Sequence, residues 1–219
     1  MDTKRSAALC TAVALGGTLL VGCGNGNTMG TGTPGRDSAA PSRAVAASAP
    51  GSPGTTLTAD QTERKALIPA AKVDYARALK AAVAAVPASE PVAAELKGTP
   101  KSPYWRTVVA TSDGTAHAVR VDAVSGKADP PHTESDDADD KKELAARLDE
   151  ATVTAQQAAE TATAKTKGTV SSLELGEADN GSRKAAWSVA VVTTDDWNQT
   201  TYDIDATNRK VLRMHVDQD

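Results

Sequence analysis

The side chains able to do chemistry in this chain are few and poorly spaced for it. His117, His132 and His215 stand far apart, and a zinc site would need the fold to bring two of them together with a carboxylate. No His-Glu-x-x-His, Gly-x-Ser-x-Gly or phosphate-loop pattern occurs, so metalloprotease, serine-hydrolase and nucleotide chemistry are not signalled. The acidic run Asp136-Asp137-Ala138-Asp139-Asp140 carries charge enough to attract calcium. It lacks the alternating ligands and the glycine of an EF-hand loop, and reads as a solvated linker. Asp122 and Asp205 end matching strand-like segments, where a carboxylate satisfies backbone N–H groups of the following turn. Trp197 falls at the tip of a hairpin, which leaves open a partner contact or folding back onto the sheet. No catalytic residue, metal set or cofactor is expected.

The remaining reactive group is a thiol. Lys4 and Arg5 precede an uncharged, largely apolar run from Ala7 to Val21, the charge order of an export signal. Roughly 16 helical residues reach about 24 Å, short of a hydrocarbon core of about 30 Å, so the run does not span. It ends in Leu20-Val21-Gly22-Cys23, which resembles the bacterial lipobox. The resemblance implies that the Cys23 thiol receives a diacylglyceryl group and that cleavage makes Cys23 the new N-terminus. Cys10 lies in the discarded segment, so the mature chain would form no internal disulfide. Two acyl chains give a stable anchor where one is marginal, at about 0.8 kcal/mol per buried methylene. Residues 1–22 are therefore expected to be a lipoprotein signal peptide, with the rest held at the outer face of the cytoplasmic membrane.

Residues 23–54 are Gly, Asn, Thr, Ser, Ala and Pro without apolar periodicity, and are expected to be a disordered tether. The remainder repeats itself. Trp105-Arg106-Thr107-Val108-Val109 and Trp187-Ser188-Val189-Ala190-Val191 alternate as half-buried strands do. Each is followed by a tight turn, Ser112-Asp113-Gly114-Thr115 or Thr194-Asp195-Asp196-Trp197-Asn198, and by a return strand, Val119 to Ala123 or Tyr202 to Ala206.

Ahead of each hairpin, helical spacing joins Tyr75, Leu79, Ala82, Val83 and Val86 in the first copy and Ala155, Ala158, Ala159 and Ala162 in the second. Short strands at Val92–Leu96 and Val170–Leu175 follow, and Val211 to Val216 reads as a final strand. Leading helical segments at 58–68 and 140–148 precede the units; Thr58 and Gln61 form a capping box, and Pro69 stops the first. The boundaries are 55–129 for the first repeat with its leading helix, 130–139 for the acidic linker and 140–219 for the second. The expected fold is α+β, each unit a helix packed on a small three- to four-stranded antiparallel sheet. With 3% aromatic residues and no phenylalanine the core is thin, and Trp105 and Trp187 are its expected anchors. A net charge of -4 without a basic cluster argues against nucleic-acid binding.

The order helix, turn-opened strand, tryptophan strand, then Val/Ile-Asp-Ala and a turn with Lys resembles the PepSY domain, over about 60 residues per copy. In the second copy the resemblance runs from Val153-Thr154 through Gly168-Thr169-Val170 and Trp187 to Ile204-Asp205-Ala206. Departures fall in loops: Pro87 and Pro91 before the first strand, and Asn208-Arg209 where Ser125-Gly126 shows the usual turn glycine. The whole resembles a two-PepSY lipoprotein of actinobacterial type. PepSY units are similar to part of the propeptides of thermolysin-like metalloproteases, which implies a non-enzymatic protein that binds an envelope protein and restrains a peptidase. The alternative is a ligand- or cation-sensing envelope module, suggested by the acidic linker and the repeated aspartates. Either way, the protein should fractionate with membranes.

Overall fold

The computed structural model describes residues 56–178 and 184–217. The signal segment, Leu20-Val21-Gly22-Cys23 and the tether lie outside the described residues.

Capping residues start each helix. In α1 (Ala59–Leu67) Gln61 N–H donates to Thr58 Oγ1 at 3.2 Å and Thr58 N–H donates to Gln61 Oε1 at 2.9 Å. These bonds satisfy two donors that the first turn leaves open. Thr154 and Gln157 repeat the device in α4 (Ala155–Lys165). Asp74 caps α2 (Tyr75–Ala85), and Asp137 caps α3 (Ala138–Glu150). Pro69 has no N–H to extend α1, and the chain leaves through one 3₁₀ turn, Ile68–Ala70.

The strands are β1 (Ser89–Thr99), β2 (Ser102–Thr111), β3 (Ala116–Asp122), β4 (His132–Thr133), β5 (Thr169–Glu177), β6 (Ala185–Val192), β7 (Gln199–Asp205) and β8 (Val211–Asp217). They form one antiparallel sheet in the order β4-β3-β2-β1-β5-β6-β7-β8. The two repeats are thus one sheet, joined where Ala93, Ala94 and Glu95 pair with Glu174, Leu173 and Ser172. Equivalent residues meet across this antiparallel seam, so the halves are related by a local twofold through Ala94 and Leu173. The segment 130–139, expected as a solvated linker, contributes β4 to the sheet edge and the cap of α3.

Alternation sorts the side chains. Leu96, Trp105, Val109, Val119 and Val121 face α2, and Leu175, Trp187, Val189, Tyr202 and Ile204 face α4, all in one continuous core. Trp105 is 1% exposed and Trp187 3%. Trp105 Nε1–H donates to Val73 O at 2.7 Å, and Trp187 Nε1–H donates to Val153 O at 2.8 Å. Each acceptor lies just before its repeat's helix. The same segments are held to the sheet by backbone bonds, Lys72 and Val73 N–H to Ala123 O and Thr152 and Val153 N–H to Ala206 O.

The leading helices are exchanged between the repeats. Helix α1 reaches the second copy: Gln61 Nε2 donates to Asn198 Oδ1 at 2.8 Å, and Arg64 donates to Trp197 O and to Asp217 Oδ2, both at 3.3 Å. Helix α3 lies on the first copy's other face, with Leu144 and Leu148 against Val92, Val108, Ala110 and Ala116. This closure explains Gly114 (φ +81°), because a Cβ there would stand 1.8 Å from Lys141 O. Arg209 (φ 65°) occupies the left-handed turn position that Gly126 (φ 77°) fills in the first copy. It is held there by Nε–H donated to Thr161 Oγ1 at 3.0 Å.

Trp187→Phe should cost about 1–3 kcal/mol, because it leaves the buried Val153 carbonyl unpaired, and Trp187→Ala about 3–5 kcal/mol in urea denaturation. Arg64→Ala should speed local, native-state amide exchange at the Thr193–Asn198 turn of the β6–β7 hairpin, whose Trp197 carbonyl loses its donor, while leaving local exchange at the Thr111–Thr115 turn of the β2–β3 hairpin, in its own repeat, unchanged. Faster exchange in β2–β3 instead would contradict the exchange of helices.

Candidate functional site

The residues singled out by type resolve mostly into turn and cap chemistry. Asp122 Oδ1 accepts from Val124 N–H at 3.1 Å and Ser125 N–H at 2.7 Å, and Asp205 Oδ1 accepts from Thr207 N–H at 2.9 Å. In the acidic run, Asp137 accepts from the N–H groups of Asp139 and Asp140 at the start of α3. Donors that favour the charged form lower a carboxyl pKa. The backbone and hydroxyl of Ser125 hold Asp122 below the usual carboxylate range, the Asp140 and Asp139 amides do so for Asp137, and the Thr207 hydroxyl does so for Asp205. Asp113 is lowered to about 2, chiefly by the Thr111 hydroxyl and then by Thr115.

The histidines are not brought together. His117 and His132 lie on adjacent strands, but register pairs His117 with Thr133 and Ala118 with His132, which puts the two imidazoles on opposite faces. His117 Nδ1 lies 3.1 Å from Thr133 Oγ1, and His215 is on β8 at the far edge. Among the described residues no group of three His, Cys, Asp or Glu side chains is placed to hold a metal. Trp197 is half-buried and packs against the main core, and its φ of 60° matches the turn position of Gly114. Its carbonyl is taken by Arg64. The ring thus folds back toward the core and keeps part of its surface exposed.

What the sequence did not signal lies at the seam. On the helix face an open groove of about 450 Å³ runs between α2 and the start of α4. Its walls are Tyr75, Leu79 and Val83 on one side and Val153 and Ala155 on the other, with Leu175 and Trp187 beneath. The groove reflects a difference between the copies. Tyr75 and Ala155 both open their helices, and the alanine leaves space where the tyrosine fills it. Burial, then the charges of Asp74 and of Glu160 on α4, raise the Tyr75 pKa.

On the opposite face a second groove of about 570 Å³ lies between α3 and the sheet, crossing the β1–β5 seam. Its floor includes Val92, Ala93, Val108 and Ala116, and its lining carries Glu95, Glu134, Asp136, Asp140, Glu143 and Glu174 with Arg106 and Arg147. Both grooves take walls from both repeats, so pattern reading along one repeat could not find them. The small side chains of the α4 face were the one visible hint.

The architecture is that of a tandem helix-on-sheet protein with open grooves at its seam. The family model described as peptidase propeptide and YPEB domain, PepSY, matches residues 72–128 and 152–215, more than half of the chain, and the chain belongs to that family. A PepSY domain is of propeptide or regulatory type and is not itself catalytic. Among solved structures, a candidate lipoprotein from Clostridium difficile 630 is similar, with 19% identity, a TM-score of 0.42, and coverage of 67% of this chain and 95% of that one. Comparison with curated proteins finds no match. Among the described residues no helix is long and apolar enough to cross a membrane.

The depressed carboxyls make a pH prediction. A carboxyl whose folded pKa lies below its unfolded value stabilises the fold above the unfolded value and loses that contribution as pH falls through the folded one. For Asp113 that window runs from 3.8 down to about 2. Carboxyl carbon NMR should give a midpoint for Asp113 well below 3.8, moving upward in Thr111→Val. A midpoint unchanged by that substitution would rule out the hydroxyl as the main cause.

Proposed function

We propose that this chain is a non-catalytic lipoprotein, held by Cys23 at the outer face of the cytoplasmic membrane, whose paired PepSY domains bind and restrain a peptidase. The observation that carries the reading is the open apolar groove between α2 and α4, built from both repeats and floored by Leu175 and Trp187. Concave, mostly apolar clefts with a few polar groups at the rim are the usual form of a binding site, and Lys80, Glu90 and Gln156 supply that rim here. The family's description as a peptidase propeptide supports a peptidase as partner. The lipobox supports the anchor, and the lack of a catalytic motif in the sequence supports a binding role. The cation-sensing alternative gains no support from the described residues, where no three-ligand group is assembled.

The full chain, immobilised through its lipid, should retain a secreted or membrane peptidase from the producing cell and lower its activity. Val83→Glu, which puts a charge in the half-buried wall of the groove, should abolish retention while circular dichroism and thermal melting stay near the parent's. Retention unchanged by that substitution would move the site elsewhere, and the absence of any effect on peptidases would remove the restraint reading. Cys23→Ala should release the protein from the membrane fraction; persistence there would remove the lipid anchor.

A further inference from the structure

The groove on the other face has a different character. Six carboxylates line it against two guanidinium groups. Of these, Arg106 is paired with Glu134 at 2.9 Å, Arg147 with Glu143 at 2.5 Å, and Glu95 with Lys97 at 2.8 Å. The carboxylates of Asp136, Asp140 and Glu174 are left with no basic partner among the described residues. Asp136 and Asp140 come from the start of α3 and Glu174 from β5, so unpaired negative charge stands on both sides of one apolar floor.

A second observation lies further along the same row of the sheet. Register places Ala93, Glu174, Ser188 and Asp203 side by side on this face, and the first three line the groove. Asp203 is 6% exposed, and among the described residues its Oδ2 has no hydrogen-bond partner. The Asp203 carboxylate adds to the negative potential of the sheet face that the groove floor shares.

We infer that this second groove receives an extended, lysine- or arginine-bearing segment of a partner protein. The inference rests on the protein-binding reading and names the chemistry of the partner. Aliphatic stems of lysine or arginine would lie on Val92, Ala93 and Val108 while the charged heads meet the two acidic walls, the division such side chains prefer. Complementary charge of this kind sets encounter rate and selectivity and weakens with salt.

The test uses the full chain in detergent and fluorescence anisotropy with a short peptide alternating lysine and alanine. Its glutamate counterpart serves as a control and spermidine as a competitor. The lysine peptide should bind and the glutamate peptide should not, with affinity falling as salt is added. The combined variant Glu174→Gln, Asp136→Asn, Asp140→Asn should weaken binding about tenfold or more. The combined variant Asp60→Asn, Glu63→Gln, Asp149→Asn removes equal charge outside the groove and should leave binding nearly unchanged. No binding of the lysine peptide, or equal losses in the two variants, would overturn the inference. Spermidine binding as tightly as the peptide would also overturn it, in favour of a free polyamine. Capture of a peptidase that persists while the lysine peptide fails would sink this inference and leave the preceding reading intact.

Discussion

Everything else in the fold depends on how each helix is fixed to its sheet. In both repeats one indole N–H reaches the carbonyl just before the helix, Trp105 to Val73 and Trp187 to Val153. The backbone N–H groups of the same short segment close on the end of the third strand, at Ala123 O or Ala206 O. A buried tryptophan needs a partner for its one donor, and a chain entering a helix over a sheet needs partners for its amides. One arrangement meets both needs. It fixes the entry of α2 and α4, and hence which side chains reach the core. With no phenylalanine in the chain, the two tryptophans are the largest side chains in that core.

Pinned helices leave each sheet half with one covered face and a free inner strand. Joining β1 to β5 removes two edges that would otherwise be open to uncontrolled pairing. Exchange of the leading helices then ties the halves a second time, with α3 covering apolar residues of the first repeat and α1 bonded to the hairpin of the second. The seam is consequently part of the fold. Its two faces carry an apolar groove between helices and an acidic groove under α3, which gives one small protein two chemically distinct surfaces.

The units, their α+β class and most element positions were legible because local rules decide them. The Thr58/Gln61 capping box, Pro69 as a stop, the alternation after Trp105 and Trp187, and the carboxylates of Asp122 and Asp205 all act within a few residues. What escaped reading depends on contacts distant in sequence. No local signal tells Ala94 to pair with Leu173, Arg64 to meet Asp217, or residues 132–133 to join a sheet edge. The site suffered most. Trp197 stood out as an unmatched aromatic at a turn, yet the left-handed turn and Arg64 hold it against the core. The grooves arise where two repeats meet and are invisible in either alone.

The central claim is that the two PepSY domains form a single cooperative unit whose seam creates the two grooves. Native-state hydrogen exchange under rising denaturant tests it most directly, comparing the amides of β2–β3 with those of β6–β7. The account predicts that both hairpins open through one global transition with the same free energy and the same denaturant dependence. Two separate transitions, one hairpin exchanging freely while the other stays protected, would contradict it.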